Sequence, residues 1–261
     1  MSVSACILAA AILASPVQAQ GDKWQLSKST HFIVYSAAAP EEFISKLLDY
    51  SEGYYTKIAE ELGFTRFNFW LWDNRAKIYV YDNAADYRAS TGKPEWSAGC
   101  VAQRDKIIYT FVNAEGFFGT TLPHELGHII FREFVGFDNP AIPLWLDEGV
   151  ASLLEKNKYS GADEIVKQAL QDNESVSLDG LSRPDIRLPA DMNNTQAQLF
   201  YAEAFSVVNF LFREYERDKF VLFCQSLRDN RNFERALASV YGLKNLQELD
   251  KKWQEYLSKP I

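Results

Sequence analysis

His124-Glu125-Leu126-Gly127-His128, followed along the chain by Trp145-Leu146-Asp147-Glu148-Gly149-Val150-Ala151-Ser152, is the stretch on which the reading of the fold turns. The first string holds two of the chain's three histidines. An α-helix advances 3.6 residues per turn, so positions 124 and 128 lie about 40° apart on its surface and can aim two imidazoles at one metal ion. Glu125 sits roughly 100° round the same turn, which sets its carboxylate beside such an ion rather than on it. There it can take a proton from a coordinated water. Two histidines do not complete a catalytic zinc site, which takes three protein ligands and a water. His31 lies far upstream on a strand-like segment and reads as a half-buried or surface side chain. Glu148 is the downstream candidate, because it stands on the next helical segment and the connection is long enough for one helix to fold back on the other.

Working outward, the residues before the motif alternate strand and helix signals. Thr30 to Tyr35 is rich in β-branched and aromatic residues and reads as a strand. Pro40-Glu41-Glu42 opens a helix to about Leu62, with Phe43, Leu47, Tyr50, Tyr54 and Ile58 at spacings of three and four, and Gly63 stops it. Lys77 to Tyr81 is a second strand and Ala84 to Ser90 a short helix. Val101-Ala102 and Lys106 to Phe111 form a hairpin joined near Arg104-Asp105. The motif helix starts at about Phe117 or Pro123 and runs to Val135. Gly127 costs it up to about 1 kcal/mol against Ala, which points to close packing there. After Pro143 the pattern is helical: Leu144 to Lys156, Asp163 to Gln171, Gln196 to Glu216, Asp218 to Leu227, Phe233 to Tyr241 and Leu246 to Leu257. Asp172 to Asn194 reads as a long irregular loop.

Ala5 to Ala14 is an unbroken apolar run followed by small residues to Ala19, the pattern of an export signal cleaved after residue 19. The run is too short to span a bilayer and no other stretch approaches the required length, so no membrane span is expected. Localisation is accordingly expected to be secreted or periplasmic. Beyond the signal, 20–135 reads as an α+β lobe containing the motif helix and 136–261 as a helical lobe. The 47% hydrophobic and 14% aromatic content of the 261 residues is ample for a packed core. The net charge of −8 is spread along the chain with no basic cluster, which argues against nucleic acid as a partner. Cys100 and Cys224 could pair in an oxidising compartment or stay as free buried thiols.

His-Glu-Leu-Gly-His followed by Trp-Leu-Asp-Glu-Gly-Val-Ala-Ser resembles the gluzincin branch of the zincin metallopeptidases, in the peptidase-MA-like superfamily. It is close to the W-L-x-E-G-x-A pattern of alanyl-aminopeptidase-like enzymes and to smaller secreted peptidase-MA-like proteins. Tyr241-Gly242 through Trp253-Gln254-Glu255-Tyr256-Leu257 is similar to that smaller group, and the resemblance covers roughly residues 95 to 257. It implies an α+β, zincin-like fold: a small mixed β-sheet with helices in the N-terminal lobe, an all-helical C-terminal lobe and the active site between them. It further implies one peptidase unit with Zn2+ held by His124, His128 and Glu148, Glu125 as general base and acid, and a peptide or protein substrate. An edge strand just before the motif helix, against which a peptide pairs its backbone, is also implied, and Lys106 to Phe111 is the matching segment.

By the same likeness Tyr201, in Phe200-Tyr201-Ala202-Glu203-Ala204-Phe205, stands where a tyrosine stabilises the oxyanion; packing is its other reading. Asp147 replaces the asparagine common in the aminopeptidases. Ser152 reads as a helix-surface serine, with support of a metal ligand as the alternative. The glycine-rich G-x-M-E-N string that holds a free amine in alanyl-aminopeptidases has no counterpart between Cys100 and Leu122, so an endopeptidase is expected. The competing expectation is a non-catalytic zincin-fold binding module of the cell envelope or extracellular space.

Overall fold

The computed structural model describes residues 24–64, 70–95, 97–153, 155, 159–183 and 195–259. The export signal expected over 1–19 and residues 184–194 of the expected loop lie outside these. The described chain divides into two compact units, one of residues up to Ile58 together with Trp70 to Ile129, the other of Ala59–Phe64 and residues from Ile130 onward.

The first unit is built on a five-stranded mixed sheet. Its strands are β1 (Gln25–Lys28), β2 (Phe32–Ser36), β3 (Ala76–Tyr81), β4 (Gly99–Ala102) and β5 (Ile107–Phe111), in the order β1-β2-β3-β5-β4. β2, β3 and β5 run parallel, while β1 and β4 lie antiparallel to their neighbours. Strand alternation sorts the residues: Phe32, Val34, Ala76, Ile78, Val80 and Ile108 are fully buried, whereas Tyr35, Tyr79 and Tyr109 fall on the opposite face. Those three tyrosines are in register across β2, β3 and β5, and their rings stack at 4.6 and 5.5 Å between centroids. α1 (Glu41–Leu62) connects β2 to β3 and buries Ile44, Leu47, Tyr54, Tyr55 and Ile58. Its apolar stripe is rotated from the expected one, because Tyr50 is exposed and Tyr55 is buried instead. α2 (Ala84–Thr91) is opened by Asn83, whose side chain accepts from the Asp86 amide.

One expectation is corrected by the strand order. The segment Lys106 to Phe111 becomes β5, which is interior, hydrogen-bonded to β3 on one side and β4 on the other. The edge strands are β1 and β4; β4 lies beside β5, and its outer side pairs with no strand among the described residues. Gly99 lets β4 sit tightly: a Cβ there would lie 3.0 Å from the Tyr109 carbonyl oxygen and 3.2 Å from a Thr121 methyl. His31 has the structural role expected, its Nδ1 lying 2.6 Å from Glu52 Oε2 and its ring stacked on Tyr55.

The second unit is helical. It contains α4 (Leu144–Ser152), α5 (Ala162–Gln171), α6 (Leu178–Leu181), α7 (Thr195–Glu214), α8 (Arg217–Asn230), α9 (Phe233–Tyr241) and α10 (Leu246–Leu257). α3 (Leu122–Val135) runs from the first unit into the second. α4 is buried at every position from Trp145 to Ser152, as a helix enclosed by neighbours must be. α7 packs along it with a run of small and apolar residues that includes Ala202, Ala204, Val207 and Val208. On α10 the buried stripe is Leu249, Trp253 and Leu257.

Cys100 and Cys224 are both free and buried, so the second of the two readings holds. Burial pushes the Cys100 thiol up to about 11 and that of Cys224 well above its usual value. No helix among the described residues is long and apolar enough to cross a membrane.

Candidate metal centre

The motif helix begins where the backbone turns at Gly116, with φ of 73°, and passes through one π-helical turn, Phe117–Thr121, before α3 proper. Pro123 lacks the N–H that would continue the ladder there, and the Phe118 carbonyl accepts instead from the Tyr54 hydroxyl at 2.8 Å. Gly136, at φ of 99°, ends the helix, and Asn139 donates from Nδ2 to the Val135 carbonyl, closing the C-terminus. The next helix, α4, starts at Leu144 after Pro143, and Trp145 anchors it by donating from Nε1 to Ser182 Oγ at 2.8 Å.

His124 and His128 are buried on one face of α3, with ring centroids 4.7 Å apart and planes at 85°. Their Nε2 atoms face each other at 3.1 Å. One ligand atom each from His124, His128 and Glu148 lies within 4.8 Å of the other two, so the three can hold a metal ion. Two nitrogens bound tetrahedrally at the usual zinc–nitrogen length would stand roughly 3.3 Å apart, close to the spacing found. Two nitrogens and a carboxylate oxygen are also a donor set that suits zinc.

Glu125, Asp147, Glu148 and Glu155 are all buried in the same stretch of sequence. Glu125 follows His124 directly in sequence and is 1% exposed.

The neighbours of Glu148 in sequence are engaged on both sides. Asp147, whose substitution for asparagine had no assigned role, is bound by Arg132 of α3, with Nε and Nη2 each 2.9 Å from Oδ2. Gly149 is where α4 meets α7: a Cβ there would press into the Ala204 carbonyl and come within 2.6 Å of a Val208 methyl. Ser152 corrects its expected surface position, since it is fully buried at the end of α4. Tyr201 is buried on α7 with its ring edge-on to Phe200 at 5.6 Å.

Sequence reasoning passed over Tyr159. It stacks on Phe205 of α7 at 5.2 Å, and its hydroxyl is raised well above the usual tyrosine value, first by burial and then by the Glu155 and Glu148 carboxylates. A single tyrosine in an irregular segment gives no periodic signal. Arg132 did give one, because it stands four residues beyond His128 on the same helix face.

A comparison with curated proteins returns no match. The profile of the Peptidase MA superfamily matches residues 72–259, from the turn before β3 to the end of α10. That span is well over half the chain and contains His124, His128 and Glu148, a cluster compatible with a gluzincin-type site, and the chain therefore belongs to the Peptidase MA superfamily.

Proposed function

We propose that the protein is an exported zinc-dependent metallopeptidase that cuts peptide bonds within a chain. The observation that carries this reading is the convergence of His124, His128 and Glu148 ligand atoms within 4.8 Å, with the buried Glu125 next in sequence to His124. His124, His128 and Glu148 would hold the ion. A zinc ion so held would supply Lewis acidity, lowering the pKa of a water towards about 7 and polarising a carbonyl.

Glu125 is the general base: its carboxylate takes the proton of the attacking water and then delivers it to the nitrogen of the leaving amine. Its burial keeps the proton from exchanging with bulk solvent between the two transfers. Tyr201 is the candidate oxyanion donor, its ring held by packing on α7 so that the hydroxyl can serve the negative oxygen that develops. The outer edge of β4 offers the Gly99–Ala102 backbone to an extended peptide, which adds to the sheet as a further strand. The glycine-rich G-x-M-E-N string that holds a free amine in alanyl-aminopeptidases has no counterpart between Cys100 and Leu122, which favours an endopeptidase. The apolar run before Ala19 supports export, with action in the periplasm or outside the cell.

Zinc content and cleavage of a broad peptide library test this directly. About one zinc per chain, with cleavage that stops on chelation and in Glu125→Gln while that variant keeps its zinc, is the expected result. A protein without zinc overturns the reading. One that binds zinc and cleaves nothing is instead a binding module.

A further inference from the structure

We infer that Arg132 and Asp147 are positioning residues, whose ion pair sets the register of α4 on α3 and so holds the Glu148 carboxylate towards the two imidazoles. This rests on the metal-site reading above. Arg132 follows His128 by four residues, so the three side chains at 124, 128 and 132 climb one face of α3 with a drift of about 40° per step. Asp147 immediately precedes Glu148. The pair thus joins the helix of the two histidines to the helix of the third ligand at positions adjacent to the ligands themselves.

Three features make the contact a determinate one. Both guanidinium donors converge on a single oxygen at 2.9 Å, and only the planar fork of arginine presents two N–H groups in that way. The Asp147 side chain is 1% exposed and that of Arg132 15%, so water offers little alternative to either. Each charge also suits its own helix. Arg132 is in the last turn of α3, where the helix end is negative, and Asp147 in the first turn of α4, where it is positive. Reversing the pair would oppose both dipoles.

On the other side of Glu148, Gly149 brings α4 against the Ala204 backbone and Val208 of α7. Three consecutive residues therefore face three tasks: Asp147 ties α4 to α3, Glu148 presents a carboxylate, and Gly149 fits α4 to α7. With α4 fixed at positions 147 and 149, rotation about its axis is blocked, and the carboxylate between them has one direction in which to point.

The test compares zinc affinity, by competition with a chromophoric chelator, and the visible spectrum of the cobalt form in the parent, Asp147→Asn, Arg132→Gln and the double variant. Loss of a group that orients a ligand typically weakens metal binding roughly tenfold to a hundredfold. Each single variant should show that loss together with an altered cobalt spectrum, and the double variant should be no weaker than the weaker single, since both changes break one contact. Removing one partner of a buried pair can also unfold the protein, so Arg132→Met/Asp147→Leu, which replaces the pair by apolar volume, is the companion. It should fold and still bind zinc weakly. Folded variants that bind within twofold of the parent, with an unchanged cobalt spectrum, overturn the inference alone. A parent that binds no zinc overturns both this inference and the metallopeptidase reading.

Discussion

The sheet and the α3–α4 pair both bury apolar side chains, but only the helices bury carboxylates and imidazoles among them. β2, β3 and β5 enclose Phe32, Val34, Ile78, Val80 and Ile108, and the polar groups buried with them, Ser36 and Thr110, are hydroxyls. Among the described residues seven carboxylate or imidazole side chains are buried, and six of them, His124, Glu125, His128, Asp147, Glu148 and Glu155, fall between positions 124 and 155. The seventh is Glu203. Apolar burial stabilises by about 25 cal/mol per Å2, whereas buried charge costs stability unless it is compensated. Apolar burial therefore stabilises both regions, and of the two only α3 with α4 carry buried carboxylates and imidazoles against that gain.

Glu125→Gln tests that contrast with the largest effect. Peptide cleavage should fall by roughly 10²- to 10⁴-fold, the usual contribution of a general base, while the urea midpoint holds or rises because an amide is easier to bury than a carboxylate. A midpoint that drops instead would make Glu125 a structural residue. Ile78→Ala is the mirror experiment. It empties a fully buried position in β3 and should cost about 2–5 kcal/mol of unfolding free energy, leaving zinc per folded chain unchanged.

Glu203 sharpens the comparison, since it is buried like the site residues but lies outside α3 and α4. Burial raises its pKa from 4.5 to about 7; the Val176 amide and Ser175 hydroxyl that donate to it work against that rise, and Asp250 adds to it. A carboxyl with a raised folded pKa favours folding below its unfolded value, and that contribution is lost as pH climbs through about 7. Glu203→Gln should therefore gain on the parent between pH 5 and pH 8 by on the order of 3 kcal/mol, read from urea unfolding at the two values. The smallest effect belongs to Glu52. Burial works to raise its pKa, but hydrogen bonds from the His31 ring and amide outweigh it and the net shift is downward. Its contribution is present above about pH 4.5 and lost in acid. With the Glu52 side chain 28% exposed, Glu52→Gln should cost under about 1 kcal/mol at neutral pH and nothing at pH 2.

Local signals carried much of this architecture. Helical spacing marked His124 and His128, Pro143 and Gly63 marked helix ends, and β-branched runs marked β2, β3 and β5. β1 escaped because Gln25–Lys28 has no apolar alternation, being exposed along most of its length. The interior position of β5 escaped for a different reason: strand order depends on partners distant in sequence, and periodicity within one strand says nothing of its neighbours. The same limit hid the burial of Ser152. Glu148 was legible as a candidate third ligand because its motif is compact, whereas the bond from Arg132 to Asp147 spans two helices and became visible only with α4 folded against α3.

The two buried cysteines bear on where such a chain can be made. Thiols pushed to about 11 in Cys100 and well above the ordinary value in Cys224 hold almost no thiolate at neutral pH, and the thiolate is the species that exchanges with disulfides or is alkylated. Both units reach their packing with sulfur in the reduced form. The described fold thus asks nothing of an oxidase or an isomerase, and Cys100 and Cys224 should be as free in a preparation from a reducing cytoplasm as in one from an oxidising compartment.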